Sequence, residues 1–500
     1  MNFFKEHRSE ILIFLSLGLI YFITRLYNLL SLPIFTDESI YIYWAKYIAV
    51  NHSHWFMSLI DGKPPLLIWA IAALLTVLPQ NSYLLAGRLP SVFAGLISLV
   101  GVYYLTTLLF RSKRIGIISG LFYILSPFTL FYDRMALFDS LLTAMLIWAV
   151  YFAIKTGMSF KIRDAVWWGI FLGLAFLAKP TAIIFLILTP VYMVMFSDVK
   201  KFKQNLKKIS LLIFIMFLVS QAINNVQRLS NSFPLAGVKD AQFQLPLKDF
   251  LMDPFALLGG NLHALFSWII SYYTLPVFLL GIFCFLFLFR LEFKKTLIIL
   301  SLWLIPISIF AFVGREIFPR YMLFTTLYFF IPVAYVTDRI LSFKKRIYAV
   351  FGIVLIGIIF YSSVSFSFGI LKDPATAPFP LTDLQQYVTQ HPSGYGLDKV
   401  FSFLHTEEKQ GRINVMTQGT FGLYPYAFYL EFWNDPKVNV LGRWPLDKID
   451  PDMIQISKTQ KLFIILKEHD AIPANLPLQL VLKAEKPGGQ YPILVTVLKK

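Results

Sequence analysis

Up to about residue 365 the apolar residues fall in successive blocks of about 20, separated by short polar breaks. Blocks of that length match α-helices crossing a bilayer, whereas a membrane barrel would show alternating segments of about 10 residues. The pattern predicts spans near 11–30, 88–110, 115–131, 137–155, 166–178, 181–197, 209–225, 264–289, 296–313, 321–337 and 347–365, about eleven in all. The first, ILIFLSLGLIYFITRLYNLL, is too long for a signal-peptide core and lacks a small-residue cleavage site, so it reads as a retained span. Between the first two spans lies a long loop, 31–87. Its apolar pieces YIYWAKYIAV and PPLLIWAIAALLTVL are too short or too interrupted to span, and predict helices lying at the membrane surface.

Beyond about residue 370 the pattern changes to short apolar runs between polar segments. INVM, VNVLG, KLFIILK and ILVTVLK predict buried strands, and DLQQYVTQ, DKVFSFLHTEEKQ and TFGLYPYAFYLEF predict helices. The chain therefore divides at 1–365, a polytopic α-helical membrane domain, and 366–500, a soluble α/β domain. The second part carries no glycine-rich dinucleotide fingerprint, so its fold class names no ligand.

Composition supports the division. The 500 residues are 57% hydrophobic and 15% charged, against roughly a quarter charged in a soluble domain. The net charge is +17, yet residues 365–500 hold 14 Lys/Arg against 13 Asp/Glu, so nearly all the excess lies in the membrane part. It is concentrated in short loops: RSKR (Arg111 to Arg114), KKFKQNLKK (Lys200 to Lys208), RLEFKK (Arg290 to Lys295) and KKR (Lys344 to Arg346). With Lys5 and Arg8 cytoplasmic, one alternating topology puts all four loops on the cytoplasmic side. Fusing 166–178 with 181–197 into one broken helix would expel KKFKQNLKK, which argues against it. The basic balance thus reports membrane orientation, and nucleic acid is excluded as its explanation. The lone Cys284 rules out an intramolecular disulfide and a cysteine metal site.

The same topology leaves the first loop, the turn FYDRMALFD, the turn AKPTA, the loop 226–263, GREIFPR and the tail on the opposite, outer side. Ionisable residues at membrane edges are costly and gather at functional sites. Here they are Asp37 and Glu38, Lys63 in DGKPPL, Arg88, Asp133 and Arg134, Lys179 in AKP, and Arg320 with Tyr321 in FPRY. Any one of these alone reads equally well as a solvated loop charge or a helix cap. Together, two carboxylate sites and several cations beneath a membrane-lying loop form a site for an anionic lipid, its phosphate held by Lys and Arg. Tyr41, Tyr43 and Trp44 either stack on a sugar or anchor the loop at headgroup level; interfacial anchoring is the commoner use of such residues.

FTDESIYIYWA, DGKPPLLIW, GRLPSVFAGLISLVGVYYL, FYDRMALFDSLLTAMLIWAVY, GLAFLAKPTA and FPRYMLFTTLYFFIPVAY, in that order, resemble the landmarks of the GT-C membrane glycosyltransferases. The likeness is to the branch of the protein O-mannosyltransferases and the aminoarabinose transferases that modify lipid A, over roughly residues 10–365. It implies a GT-C fold and a polyprenyl-phosphate-linked sugar as donor. It also implies transfer to a lipid, glycan or protein acceptor on the outer face of the cytoplasmic membrane, with inversion at the anomeric carbon. Asp37 matches the first-loop acid used as general base toward the acceptor, and Glu38 its supporting neighbour. Lys63, Arg320 and Tyr321 match positions that contact the donor phosphate, as Lys179 and Arg88 do less closely. Asp133 and Arg134 match a second-loop motif that either orients the donor sugar or pairs internally to hold the loop. Some aminoarabinose transferases hold a metal through a glutamate directly before the lysine of KPP and a histidine. Here that place is Gly62, preceded by Asp61, with His263 as a weak histidine candidate. The transfer is therefore expected to require no cofactor, with a divalent metal left open.

Two other classes compete. A lipid or sugar transporter would show internal repeats and midplane sites; the sequence has no repeat and its charges lie at one surface. A non-catalytic scaffold would be indifferent to the loss of Asp37.

Overall fold

The computed structural model describes residues 8–197 and 202–499. Lys5 and the Lys200–Lys201 start of the second basic loop lie outside them. The chain divides into two compact units: Met1–Tyr27 with His54–Trp69 and Arg88–Leu371, and Asn28–Ser53 with Ala70–Gly87 and Lys372–Lys500.

The first unit is helical. Each predicted span interval holds helix, but by length and apolar composition five helices of the described residues can cross a membrane, or six if one bent pair counts as a single span. The five are Tyr83–Phe110, Phe138–Ser159, Lys203–Leu229, Phe293–Val313 and Arg346–Lys372. Several of the other predicted apolar stretches are short or interrupted. Leu12–Leu26 and Pro180–Phe196 are two such stretches, and the block at 115–131 breaks at Ser126, where Pro127 opens a new short helix. The interval 264–289 is likewise no single rod. Leu258–Tyr273 and Leu275–Leu291 meet at 102°. Pro276, in the first turn of the second helix, lacks the N–H that would continue the first, and the Tyr273 carbonyl at the end of the first accepts from Ser363 Oγ at 3.1 Å. Leu323–Leu341 is buried over nearly its whole length and is the axis of the packing. Its Phe329 ring lies 4.4 Å from Tyr273 and 5.1 Å from Trp303. This is a multi-pass membrane protein.

The second unit holds a five-stranded sheet in the order β2-β1-β3-β5-β4. The strands are β1 (Ile413–Gln418), β2 (Val438–Arg443), β3 (Lys461–Leu466), β4 (Leu478–Ala484) and β5 (Ile493–Leu498). β1 pairs in parallel with β2 and β3, and β5 runs antiparallel to β3 and β4. Central β1 is buried at every residue, as expected of a strand covered on both faces. The four apolar runs became β1, β2, β3 and β5. β4, LQLVLKA, was not predicted; it is an edge strand with mostly exposed residues between buried ends. The helices Leu397–Glu408 and Leu423–Glu431 form where predicted, while DLQQYVTQ winds into a short α-turn and a π-turn. Met416, Met453, Leu462, Ile464, Leu466 and Leu494 lead the core of this sheet.

Candidate active site

In the first unit the DGKPP segment makes a tight turn. A 3-10 helix, Met57–Asp61, ends at Gly62 with φ +74°, and the Lys63 amide returns to the Ser58 carbonyl at 3.0 Å. A Cβ at position 62 would stand 2.7 Å from Lys239 Cβ and 3.6 Å from Asp240 Oδ1, so the Phe233–Ala241 helix closes directly over the turn. Glycine is required there by the left-handed backbone and by the approach. The Lys63 ammonium lies 4.8 Å from the centre of the Phe243 ring. Phe243 is held by an antiparallel bridge, its carbonyl accepting from the Arg315 amide at 3.0 Å while Leu245 donates to Val313 at 2.7 Å. Asn261 Nδ2 faces the Phe310, Ala311 and Gly314 carbonyls at 2.8–3.3 Å, which satisfies the end of that helix.

Lys179 ends the Ile162–Ala178 helix in extended geometry, φ −160° and ψ 139°, because a residue before proline is pushed out of the helical region. Its ammonium bonds Asp139 Oδ1 at 2.7 Å and sits 3.7 Å over the Tyr321 ring. Arg320 follows Pro319 in the 3-10 turn Pro319–Met322; it is buried, with its guanidinium 4.4 Å from the Phe318 ring and 5.7 Å from that of Tyr321. Burial lowers the Lys179 pKa, Asp139 offsets this, and the charges of Arg320 and Lys63 lower it further. Burial pushes the Asp240 carboxyl up to about 6, against the pull of Lys63 and Lys179. Lys63, Lys179, Arg320 and Tyr321 are thus brought together, with Asp139 and Asp240 as carboxylates that the sequence reading missed. Asp139 lies inside the quoted FYDRMALFD, but nothing in spacing says which of its two aspartates faces Lys179. Asp240 lies in a long loop with no distinguishing pattern.

Asp133, Arg134 and Arg88 form a neighbouring group. The Asp133 partner is Arg25 of the first helix, Nε to Oδ2 3.6 Å, with both side chains buried. Its carboxylate also accepts from Tyr123 at 2.9 Å and Ser140 at 3.0 Å. Arg134 donates to the Thr24 carbonyl at 3.2 Å. Burial lowers Arg134 to about 9, and Arg88 and Arg25 push in the same direction. Arg88 is fully buried. Tying one carboxylate to these three side chains makes Asp133 a lock of the helix packing.

Asp37 and Glu38 belong to the second unit, in the first turn of the Thr36–Asn51 helix. Fully buried Glu38 reaches back to accept the Phe35 amide at 3.1 Å, as a glutamate at the third helical position does when it closes an N-terminus. Asp37 is half-buried in the same turn. The aromatic residues that follow are packed rather than displayed. Tyr41 and Trp44 are buried, and Tyr43 stacks on Tyr426 at 4.6 Å and 13°. Among the described residues no three His, Cys, Asp or Glu gather in a way that would hold a metal ion. Asp61 ends the turn before Gly62, and His263 is exposed on the Leu258–Tyr273 helix.

Three comparisons bear on this arrangement. The family model for dolichyl-phosphate-mannose-protein mannosyltransferases matches residues 62–223, a stretch that contains Lys63, Arg88, Asp133, Arg134 and Lys179. The crystal structure of ArnT from Cupriavidus metallidurans in the apo state superposes with a TM-score of 0.62 at 14% identity, covering 98% of each chain. The chain has the GT-C glycosyltransferase fold. The same ArnT bound to undecaprenyl phosphate gives a TM-score of 0.61 at 13% identity, again over 98% of both chains. No curated protein matches the sequence. The match extends over the residues of both units.

Proposed function

We propose that the protein is a membrane glycosyltransferase that moves a single hexosyl or pentosyl unit from a polyprenyl-phosphate donor to a lipid, glycan or protein acceptor, on the outer face of the cytoplasmic membrane. The observation that carries this reading is the gathering of Lys63, Lys179, Arg320 and Tyr321 in a chain whose fold is shared with an undecaprenyl-phosphate-bound ArnT.

In the reaction, Asp37 takes the proton of the acceptor hydroxyl or amine as that atom bonds to the anomeric carbon. The bond from carbon to phosphate oxygen breaks on the opposite face, its electron pair stays with the phosphate, and configuration inverts. The departing phosphate needs cations rather than a proton. Lys63, Lys179 and Arg320 meet a charge that grows along the reaction, so they favour the transition state over the ground state. Glu38 holds the helix start that carries Asp37.

A mass spectrum of lipid retained by the purified protein tests the donor class, with a polyprenyl phosphate or its glycoside as the expected species. In a transfer assay, Lys63→Ala and Arg320→Ala should each lower kcat/KM for the donor by roughly 100-fold, the usual scale for losing one charge-stabilising contact, with acceptor affinity kept. Loss of acceptor affinity alone would remove the phosphate role. A phosphate site in a transporter would bind the donor without any transfer product.

A further inference from the structure

The second unit contains a device that the reaction scheme has not used. Lys486 is only 4% exposed, and its ammonium donates to two carbonyls of one turn, Gln390 at 2.9 Å and Ser393 at 2.8 Å. Ser393 closes the turn through its amide to Gln390 at 3.0 Å and its hydroxyl to the Tyr387 carbonyl at 2.9 Å. Between those residues, the Pro392 carbonyl accepts both the Thr36 amide at 3.1 Å and the Thr36 hydroxyl at 3.0 Å. Tyr387 packs its ring 4.6 Å from Phe35. A Cβ at Gly394 would stand 2.2 Å from the Ile34 carbonyl oxygen, so the two backbones touch where only glycine fits. Residues 34–36 are therefore seated on the 387–394 turn, and Asp37 is the next residue.

We infer that Lys486 is a positioning residue for Asp37: it fixes the 390–393 turn, the turn fixes Thr36, and Thr36 fixes the helix start from which the base projects. This assigns the C-terminal sheet domain a share in catalysis without contact to substrate. It rests on the reading of Asp37 as the acceptor base. A buried ammonium has high solvation needs, so its two acceptors are held firmly, and its removal leaves both carbonyls buried with fewer donors. Small displacements of a reacting group carry large rate costs.

The test compares full-length wild type, Lys486→Met, Lys486→Arg and Thr36→Val in lipid nanodiscs. Hydrogen exchange reads the seat directly. Lys486→Met should speed exchange of the amides of residues 36–40 at least tenfold, with β1 and β3 unchanged. In transfer, Lys486→Met should lower kcat roughly 10- to 100-fold with the donor KM unchanged, Lys486→Arg should recover part of it, and Thr36→Val should show a smaller loss of the same kind. In an Asp37→Asn background, Lys486→Met should add no further loss, since the two act as one unit. Unchanged exchange at 36–40, or losses that multiply in the double variant, would overturn the inference. If Lys486→Met does not fold, Thr36→Val decides by the same two readouts. Absence of transfer by the wild type would count against the proposed function, and the exchange result would still decide the seat.

Discussion

At the scale of single residues, some charges of the site are committed to holding the fold. Asp133 was singled out in the sequence because an acid next to an arginine stands at a membrane edge. In the fold it is locked to Arg25, Tyr123 and Ser140. Removing it leaves a buried arginine without its counter-charge, so Asp133→Ala should destabilise the protein by roughly 3–5 kcal/mol, read as a lowered melting temperature in detergent. Asp240 behaves differently. Its carboxyl titrates near 6, so above that pH it carries a negative charge that competes with a phosphate for Lys63 and Lys179, and below it the charge is gone. A polyprenyl-phosphoryl sugar is a diester and keeps one negative charge throughout. Donor affinity should therefore rise as pH falls through about 6. Asp240→Asn should tighten binding at pH 7.5 by roughly tenfold, about 1.4 kcal/mol, and flatten the acid dependence. A variant whose affinity still follows the wild-type pH curve would show that another group titrates.

At the scale of elements, the turns were legible and their partners were not. Pro180 marks where Lys179 leaves its helix, Pro319 opens the turn that carries Arg320, and DGKPP marks a turn by composition alone. What presses on that turn, the Phe233–Ala241 helix, has no signature, because its contact runs through backbone and the Lys239 stem. The absence of a glutamate before the KPP lysine has a steric explanation as well as a chemical one. Gly62→Ala should lower donor use and speed proteolysis of the 233–241 segment, since the new Cβ meets Lys239 at 2.7 Å in a left-handed turn. Unchanged proteolysis would mean that the helix shifts freely. The helix start at Thr36 carries the same lesson. Asp37 and Glu38 are adjacent and chemically alike, and only the fold assigns Glu38 to the Phe35 amide.

At the scale of the whole molecule, membrane character, helical class and the α/β tail followed from block length, charge asymmetry and short apolar runs. Some features did not. Hydropathy registers neither the 102° bend nor the break before proline. Strand β4 went unpredicted although its LQLVLKA is as apolar as the other strands. The grouping of residues 28–53 and 70–87 with the C-terminal sheet was also hidden, since side-chain pairings such as Tyr43 on Tyr426 join positions hundreds of residues apart. The central claim is that this fold transfers a sugar from a lipid phosphate with Asp37 as base. The measurement that tests it most directly incubates purified protein with a panel of polyprenyl-phosphoryl sugars and acceptors, comparing wild type with Asp37→Asn by product mass. The account predicts a glycosylated acceptor and free polyprenyl phosphate with the wild type, and a rate lowered by roughly 100- to 10,000-fold in the variant. Equal rates from both proteins, or no product from any donor, would contradict it.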